Sequence, residues 1–438
     1  MSEKPPIPTP RPAPEYPPAN DRLSSLLLPS GLSGGNQVAL LQGGDELFPA
    51  MIKAIDGAVR EVWVATYIFN DDHAAEAVVS ALCQAGRRGV QVRLLVDGFG
   101  THATLPWLRR RCEASGVELA VFRPMHGWWS WLQPGQLRRM HQKLCVVDDV
   151  LAFVGGVNVI DDRFDLRHGW SDQPRLDFSV SVRGPVVGMV RQAARALWTR
   201  AWLGHEFREE VRALASTANP MARARLLVKR LRMPAQPHAK VPVAAMSPMQ
   251  AAFVTRDNLR QRRTIERNYI AAIRQARSRV DLMSPYFYPG RAFRRALRLA
   301  AKRGVEVRLV LQGKADFQIA RFAAGALYDE LRSHGVRIFE YLPAFLHAKV
   351  ALVDDSWATV GSSNIDPLSL LLNLEANVIV RDPAFNRELG ARFDETIAAS
   401  REVQPDDIHV LWHGAWRRAL VAWCAHVYLR LAGRSGRY

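Results

Sequence analysis

The chain has 438 residues, 48% hydrophobic and 23% charged, a make-up that excludes a disordered chain and is too long for one small core. Its 59 Lys and Arg against 42 Asp and Glu give a net charge of +17, which points to a polyanion, either nucleic acid or the anionic face of a membrane. Cys83, Cys112, Cys145 and Cys424 have no CxxC or zinc-ligand spacing, so neither a disulfide framework nor a structural metal is expected.

Residues 1–35 carry eight prolines before Asn20 and a Ser/Gly-rich stretch after it, and read as a mobile leader without the apolar region of a secretory signal. The uncharged stretch from Leu23 to Gly44 is broken by Pro29 and Gly/Ser/Asn turns, short of the ~20 apolar residues a membrane span needs. An apolar run at Val62–Phe69 then opens a series of alternating elements: an amphipathic helix ending near Arg88-Gly89, a Val-rich strand, a further helix and strand, and a hairpin from about His141. The same series restarts at Val280–Phe287. Strands alternating with helical patterns imply an α/β sheet covered on both faces. Cys145 falls inside an apolar strand-like run and is expected to be buried there.

The restart is a duplication. Residues 81–98 match 296–313 at an offset of 215, and Gly116-Val117 matches Gly335-Val336 at 219. His141, Lys143, Asp148, Gly155 and Asn158 match His347, Lys349, Asp354, Gly361 and Asn364, all at 206. A period above 200 residues means two fused domains rather than a solenoid. The domains are placed at 36–204 and 251–405, with a Pro-containing basic linker over 205–250 and a basic, Trp-rich tail over 406–438. The segments 221–240 and 411–438 hold eleven Lys/Arg and no acid, leaving a net +6 elsewhere.

The repeated motif has a chemistry. Side chains at i and i+2 of a strand share a face, which predicts that His141 projects with Lys143 and His347 with Lys349. Asp148 and Asp354, the remaining members of the motif, fit turns and are expected to pair with neighbours there. Gly155 and Gly361 are read as small residues that let a phosphate approach the backbone, with Asn158 and Asn364 beyond them as amide donors. Two such units face to face gather two imidazoles, two ammonium groups and two amides, a set suited to a phosphodiester. One His would attack phosphorus while the other protonates the departing alcohol. The attacking imidazole needs its second nitrogen held, and Asp177, 36 residues after His141, and Glu375, 28 after His347, are the candidates. No cofactor is implied, and two ammonium groups make a metal unnecessary.

These residues resemble the phospholipase D superfamily, whose signature is this HKD motif in duplicate, over nearly all of residues 40–400. The stretch from Leu346 to Asn377 is similar to bacterial cardiolipin synthases of the B-type branch, as are Phe153–Asn158 and Asp177–Pro185 of the first half. The resemblance implies an α/β fold of two tandem phospholipase D-like α-β-α lobes, related by pseudo-twofold duplication, with the active site at their interface. It implies a phosphatidyl transfer between two phosphatidylglycerol molecules through a phosphohistidine, with His141 as nucleophile, by a peripheral protein on the cytoplasmic face of the inner membrane.

Lipid competes with nucleic acid as the phosphodiester. Gly127-Trp-Trp-Ser-Trp-Leu132 before the first motif, and Trp412, Trp416, Leu420, Trp423 and Val427 at helical spacing in the tail, favour a headgroup interface. Stacking on single-stranded bases, or plain core packing, would use the same aromatics. A hydrolase of the same superfamily and a non-catalytic membrane-binding protein are the other readings, and both intact motifs argue against the last. The oligomeric state is left open.

Overall fold

The computed structural model describes residues 31–125, 138–166, 169–214, 249–256, 263–313, 327–366 and 373–404. Most of the predicted leader and basic linker, the Gly127–Leu132 cluster, Cys424 and the tail lie outside them.

Two sheets built to one plan form the frame. The first orders its strands β1(Gln37–Gln42), β10(Phe178–Arg183), β7(Leu151–Gly155), β6(Lys143–Val147), β2(Glu61–Thr66), β3(Gln91–Asp97) and β4(Val117–Phe122). The second orders β11(Gln250–Arg256), β17(Asn373–Arg381), β16(Trp357–Gly361), β15(Val350–Val353), β12(Arg279–Ser284), β13(Glu306–Gln312) and β14(Arg337–Tyr341), with β18(Ser400–Glu402) added at the edge. Each has the same three parallel strands, β2-β3-β4 and β12-β13-β14, and runs antiparallel from β2 or β12 back to β1 or β11. The duplication read from motif offsets is therefore a duplication of topology.

The uninterrupted apolar runs are explained by burial on both faces. Along β2, Val62 and Val64 face helices α1(Gly43–Asp56) and α2(His73–Arg87), while Trp63 and Ala65 face the opposite core. Cys145 of β6 is buried with the first set. The helix α3(Leu105–Cys112) leads from β3 to β4. In the second lobe the outer helices are α5(Thr264–Gln275) and α6(Arg291–Lys302). Between the sheets lies one shared core, to which α4(Val186–Leu214) contributes Val187, Val190 and Trp198, and α7(Pro383–Ala398) contributes Phe385, Leu389 and Phe393. Helix α4 reaches β11 and α7 reaches β1, so each lobe's inner helix touches the other lobe's edge strand. A core common to both sheets fixes the lobes as one body.

Two boundaries differ from those expected. Ser33 already pairs with Ala251 (N–H to carbonyl 2.9 and 3.0 Å), so backbone pairing starts inside the leader placed at 1–35. Helix α4 carries the first lobe past 204 to Leu214, continuing the helix that Trp198 and Ala201 seat on the shared core. Among the described residues no helix is long and apolar enough to cross a membrane.

Candidate active site

The parallel strands β2 to β4 and β12 to β14 end on the side where β6 and β15 begin, and there the lobes meet. The two motif histidines do not sit in the strands that follow them. Met140 and Arg139 form a short strand, β5, parallel to Asn373-Leu374 of the other lobe's β17, and β6 starts only at Lys143. His141 N–H then donates to Leu374 O at 3.0 Å. The second lobe reciprocates: Leu346 bridges Leu176, and His347 N–H donates to Leu176 O at 2.8 Å. The shared-face expectation for His and Lys thus gives way to a different device. The chain crosses to the partner lobe at the histidine and returns to its own sheet at or just after the lysine. Lys143 Nζ donates to His141 O at 2.8 Å, and Lys349 Nζ to His347 O, closing each crossing.

The crossing exchanges carboxylates. His141 Nδ1 lies 3.1 Å from Glu375 Oε2, and His347 Nδ1 lies 2.5 Å from Asp177 Oδ2. An ionised carboxylate only accepts, so each Nδ1 carries the hydrogen and each Nε2 keeps its lone pair. The two rings stand 6.5 Å apart between centroids, inclined at 66°. Asp177 and Glu375 are equivalent: Ser179 faces Gly155 and Asn377 faces Gly361, an offset of 198 that carries one carboxylate onto the other.

Burial dominates the electrostatics. It pushes both histidines below their ordinary range, with Lys349 adding to the effect at His347. Desolvation also lowers the ammonium groups, Lys143 to about 7 and Lys349 to about 8, against the pull of Glu375 and Asp177 respectively. Asp177 is raised by burial to about 6. Glu375 goes the other way: burial would raise it, but His141, Arg256 and Lys143 together hold it below the usual carboxylate range.

The glycines have another job than the one expected of them. A Cβ on Gly155 would lie 2.1 Å from Ser179 Oγ, and one on Gly361 2.3 Å from Cγ of Asn377. A Cβ on the next residue, Gly156, would fall 2.2 Å from Asp177 Oδ1. The space beside these glycines is filled by the carboxylate-bearing strand, so they serve close strand contact and not a ligand. Asp148 and Asp354 stand at the far end of β6 and β15, away from the histidines. Asp148 accepts the amides of Val59, Arg60 and Glu61 at 2.8, 2.8 and 2.9 Å, and Asp354 those of Arg277, Ser278 and Arg279 at 3.0, 2.9 and 3.0 Å. Asn158 Oδ1 accepts Ile68 N–H at 3.3 Å, and Asn364 is buried at the equivalent place.

The sequence pattern of the family described as "Cardiolipin synthase, PLD-like domain" matches residues 51–169 and 269–397. Cardiolipin synthase B of Escherichia coli K12 is 35% identical over 375 residues, 83% of this chain and 81% of that protein. The chain belongs to the phospholipase D-like cardiolipin synthase family. Its members include cardiolipin synthase A of Pseudomonas putida GB-1, 31% identical over 372 residues, 85% of this chain and 71% of that one. Among solved structures, the phosphatidylserine synthase of Haemophilus influenzae shares the fold, with a TM-score of 0.60, 12% identity, and coverage of 92% of this chain and 98% of that one.

Within this family frame the halves are not equal, and the differences were invisible in the motifs. Arg256 ends β11 fully buried, with Nη2 3.8 Å from Glu375 Oε1 and Nη1 3.2 Å from Ser363 Oγ. Strand register places Gly43 at the equivalent point of the first lobe, where its N–H donates to Asp177 O at 2.8 Å. A buried carboxylate, Asp162, stands there instead of a guanidinium; desolvation pushes it to about 7. Ser362 Oγ donates to Glu375 Oε2 at the position that Gly156 occupies beside Asp177. Tyr67 adds a ring 5.1 Å from that of His141, with Lys143 Nζ 5.5 Å above it, and burial keeps its phenol protonated. The second lobe has Pro285 there.

Proposed function

We propose that the chain is a cardiolipin synthase that moves a phosphatidyl group from one phosphatidylglycerol to another at an anionic membrane surface. The observation that carries this reading is the reciprocal pair His141–Glu375 and His347–Asp177, with the two rings 6.5 Å apart. A phosphodiester entering between the rings would find an Nε2 lone pair on each and the two lysine ammonium groups that hold the histidine carbonyls.

His141 is the nucleophile in this scheme. Its partner Glu375 stays ionised beside Arg256, so it can balance the positive charge that imidazole acquires on bonding to phosphorus. The Nε2 lone pair of His141 forms the N–P bond as the P–O bond to glycerol breaks. His347, which takes up a proton when the anionic substrate adds its charge to the site, passes it to the departing glycerol oxygen. Now neutral, His347 accepts the hydroxyl proton of a second phosphatidylglycerol. The freed oxygen attacks phosphorus, the N–P bond breaks, and cardiolipin leaves with His141 restored. Asp177, poised at about 6, serves the group that changes its proton twice per turnover.

The test is product analysis on phosphatidylglycerol vesicles. Cardiolipin and glycerol in equal amounts support transfer, phosphatidic acid would make the protein a hydrolase, and cleaved DNA with intact lipid would overturn the lipid reading. His141→Ala and His347→Ala are each expected to abolish turnover, and near-normal activity in either would refute a shared two-histidine site.

A further inference from the structure

Asp177 follows its histidine by 36 residues and Glu375 by 28, so the first half has eight more residues before its carboxylate. Ahead of Asp177 a short hairpin pairs β8(Phe164–Asp165) with β9(Gly169–Trp170) and belongs to neither large sheet. Its stem is tied down: Ser171 N–H donates to Arg163 O at 2.7 Å, Arg175 N–H to Asp162 O at 2.7 Å, and Arg175 Nη2 to Phe164 O at 2.9 Å. The next residues, Leu176 and Asp177, hold His347 by backbone and side chain. The hairpin is therefore braced on the catalytic pair, yet it presents Leu166 and Trp170 at 56% and 65% exposure. Phe164 packs beneath Trp170 with ring centroids 5.3 Å apart, which fixes the indole outward.

Other exposed apolar side chains gather at the same end. Phe99, Tyr286 and Leu342 follow β3, β12 and β14, where those strands open onto the site, and are about two-fifths exposed. Nine large hydrophobics are exposed among the described residues; five of them lie on this rim, too many for an even scatter. Arginines stand on part of the rim. Arg123, Arg138 and Arg139 cluster where β4 ends and β5 begins, linked by Arg123 Nη1 to Arg138 O at 3.1 Å and Arg139 Nη1 to Arg123 O at 3.2 Å, with Arg139 also 3.6 Å from the buried Asp97. On the hairpin Asp165 is paired with Arg175 at 3.5 Å, and Asp172 is exposed beyond Trp170. Apolar tips beside arginines at the mouth of a site complement an anionic lipid bilayer.

We infer that Leu166 and Trp170 of the β8–β9 pair, with the apolar rim around them, are the surface that seats the active-site mouth on an anionic bilayer, both side chains entering the headgroup boundary. This rests on the phospholipid reading above and adds where and how the protein meets its lipid. It also gives a purpose to the eight residues by which Asp177 lies further from its histidine than Glu375 does.

The experiment compares the full chain with Leu166→Ser/Trp170→Ser. Both positions are exposed, so the thermal midpoint should move little, by no more than the lost Phe164–Trp170 ring contact accounts for. Rates are measured on phosphatidylglycerol vesicles and on dispersed short-chain phosphatidylglycerol, with co-sedimentation on the same vesicles. The expected result is a fall of roughly tenfold or more in the ratio of vesicle rate to dispersed rate, and weaker co-sedimentation, with the dispersed rate unchanged. An unchanged ratio with unchanged co-sedimentation overturns the inference. If neither protein uses phosphatidylglycerol in either form, the proposed function falls, while co-sedimentation still decides the docking surface: a drop in the variant supports it and parity refutes it.

Discussion

Glu375 of the second lobe holds Nδ1 of His141 in the first at 3.1 Å, and this pair cannot form within one lobe. The carboxylate selects the tautomer that leaves Nε2 free and balances charge on the ring. Glu375→Gln keeps the shape and removes the charge. Turnover on phosphatidylglycerol vesicles should fall by roughly a thousandfold, with the fold intact by circular dichroism. Loss of less than about tenfold would mean the carboxylate only packs.

The pH dependence has a calculable sense. Asp177 must be ionised to hold His347, and it sits at about 6, so kcat/KM should fall as pH drops through that value. Lys143 and Lys349 must be charged to receive a phosphodiester, and at about 7 and about 8 in the free protein they lose that charge as pH rises. A bell with its maximum near neutrality follows for kcat/KM. In kcat the alkaline limb should move upward, because bound phosphate favours the ammonium form. A flat kcat/KM profile between about 5 and 9 would contradict both assignments.

Arg256 supports the same carboxylate from behind. Replacing it with Met leaves Glu375 buried without its guanidinium, a loss of about 3 to 5 kcal/mol for a broken buried pair. With less positive charge beside it, Glu375 takes a proton at higher pH and adds a second ionisation to the acid limb that Asp177 otherwise sets alone, so that limb of kcat should steepen and shift upward. Arg256→Lys should recover part of both effects. Lower stability with an unmoved acid limb would make Arg256 a packing residue.

Much of the architecture could be read from the chain, and the reasons are physical. The apolar runs at Val62 and Val280 announced strands buried on both faces, and constant offsets announced two lobes on one plan. The exchange of carboxylates could not be read, because 36 and 28 residues of spacing say nothing about which lobe a strand end faces. Arg256 gave no signal either: it closes an ordinary apolar strand, and its counterpart is Gly43, so the repeat concealed it. The glycines misled for a related reason. A small residue after a strand suits a ligand or a neighbouring backbone equally well, and only the position of Ser179 or Asn377 decides.

Asp354 separates motif membership from chemistry. Its carboxylate accepts three consecutive amides leading into β12 (Arg277, Ser278 and Arg279) and the Ser278 hydroxyl at 2.9 Å, from a backbone at φ 49°. Burial would raise its pKa, but those donors outweigh it and hold it below the ordinary value. A carboxyl depressed on folding contributes stability that is present above its unfolded pKa and fades as pH falls through the folded one. Asp354→Asn should therefore lower stability by about 1 to 3 kcal/mol near neutral pH, and the difference from the parent should shrink in acid. The folded fraction should keep kcat within a few-fold, since β15 separates Asp354 from His347. A hundredfold loss of kcat in folded protein would put this aspartate back into the reaction.

Gly361→Ala tests the claim that strand contact, and not phosphate, requires the glycine. The new methyl would meet Asn377 Cγ at 2.3 Å and Ala376 O at 2.4 Å, and the latter is backbone of the strand carrying Glu375. The strands must part, at a cost of about 1 to 3 kcal/mol. Any shift of Ala376 also moves Glu375 against His141, so thermal midpoint and kcat should fall together while KM stays near the parent value. A glycine kept for phosphate approach would give the opposite split, a raised KM with an unmoved midpoint. The two readouts on one variant decide between a residue that shapes the site through its neighbours and one that touches the lipid.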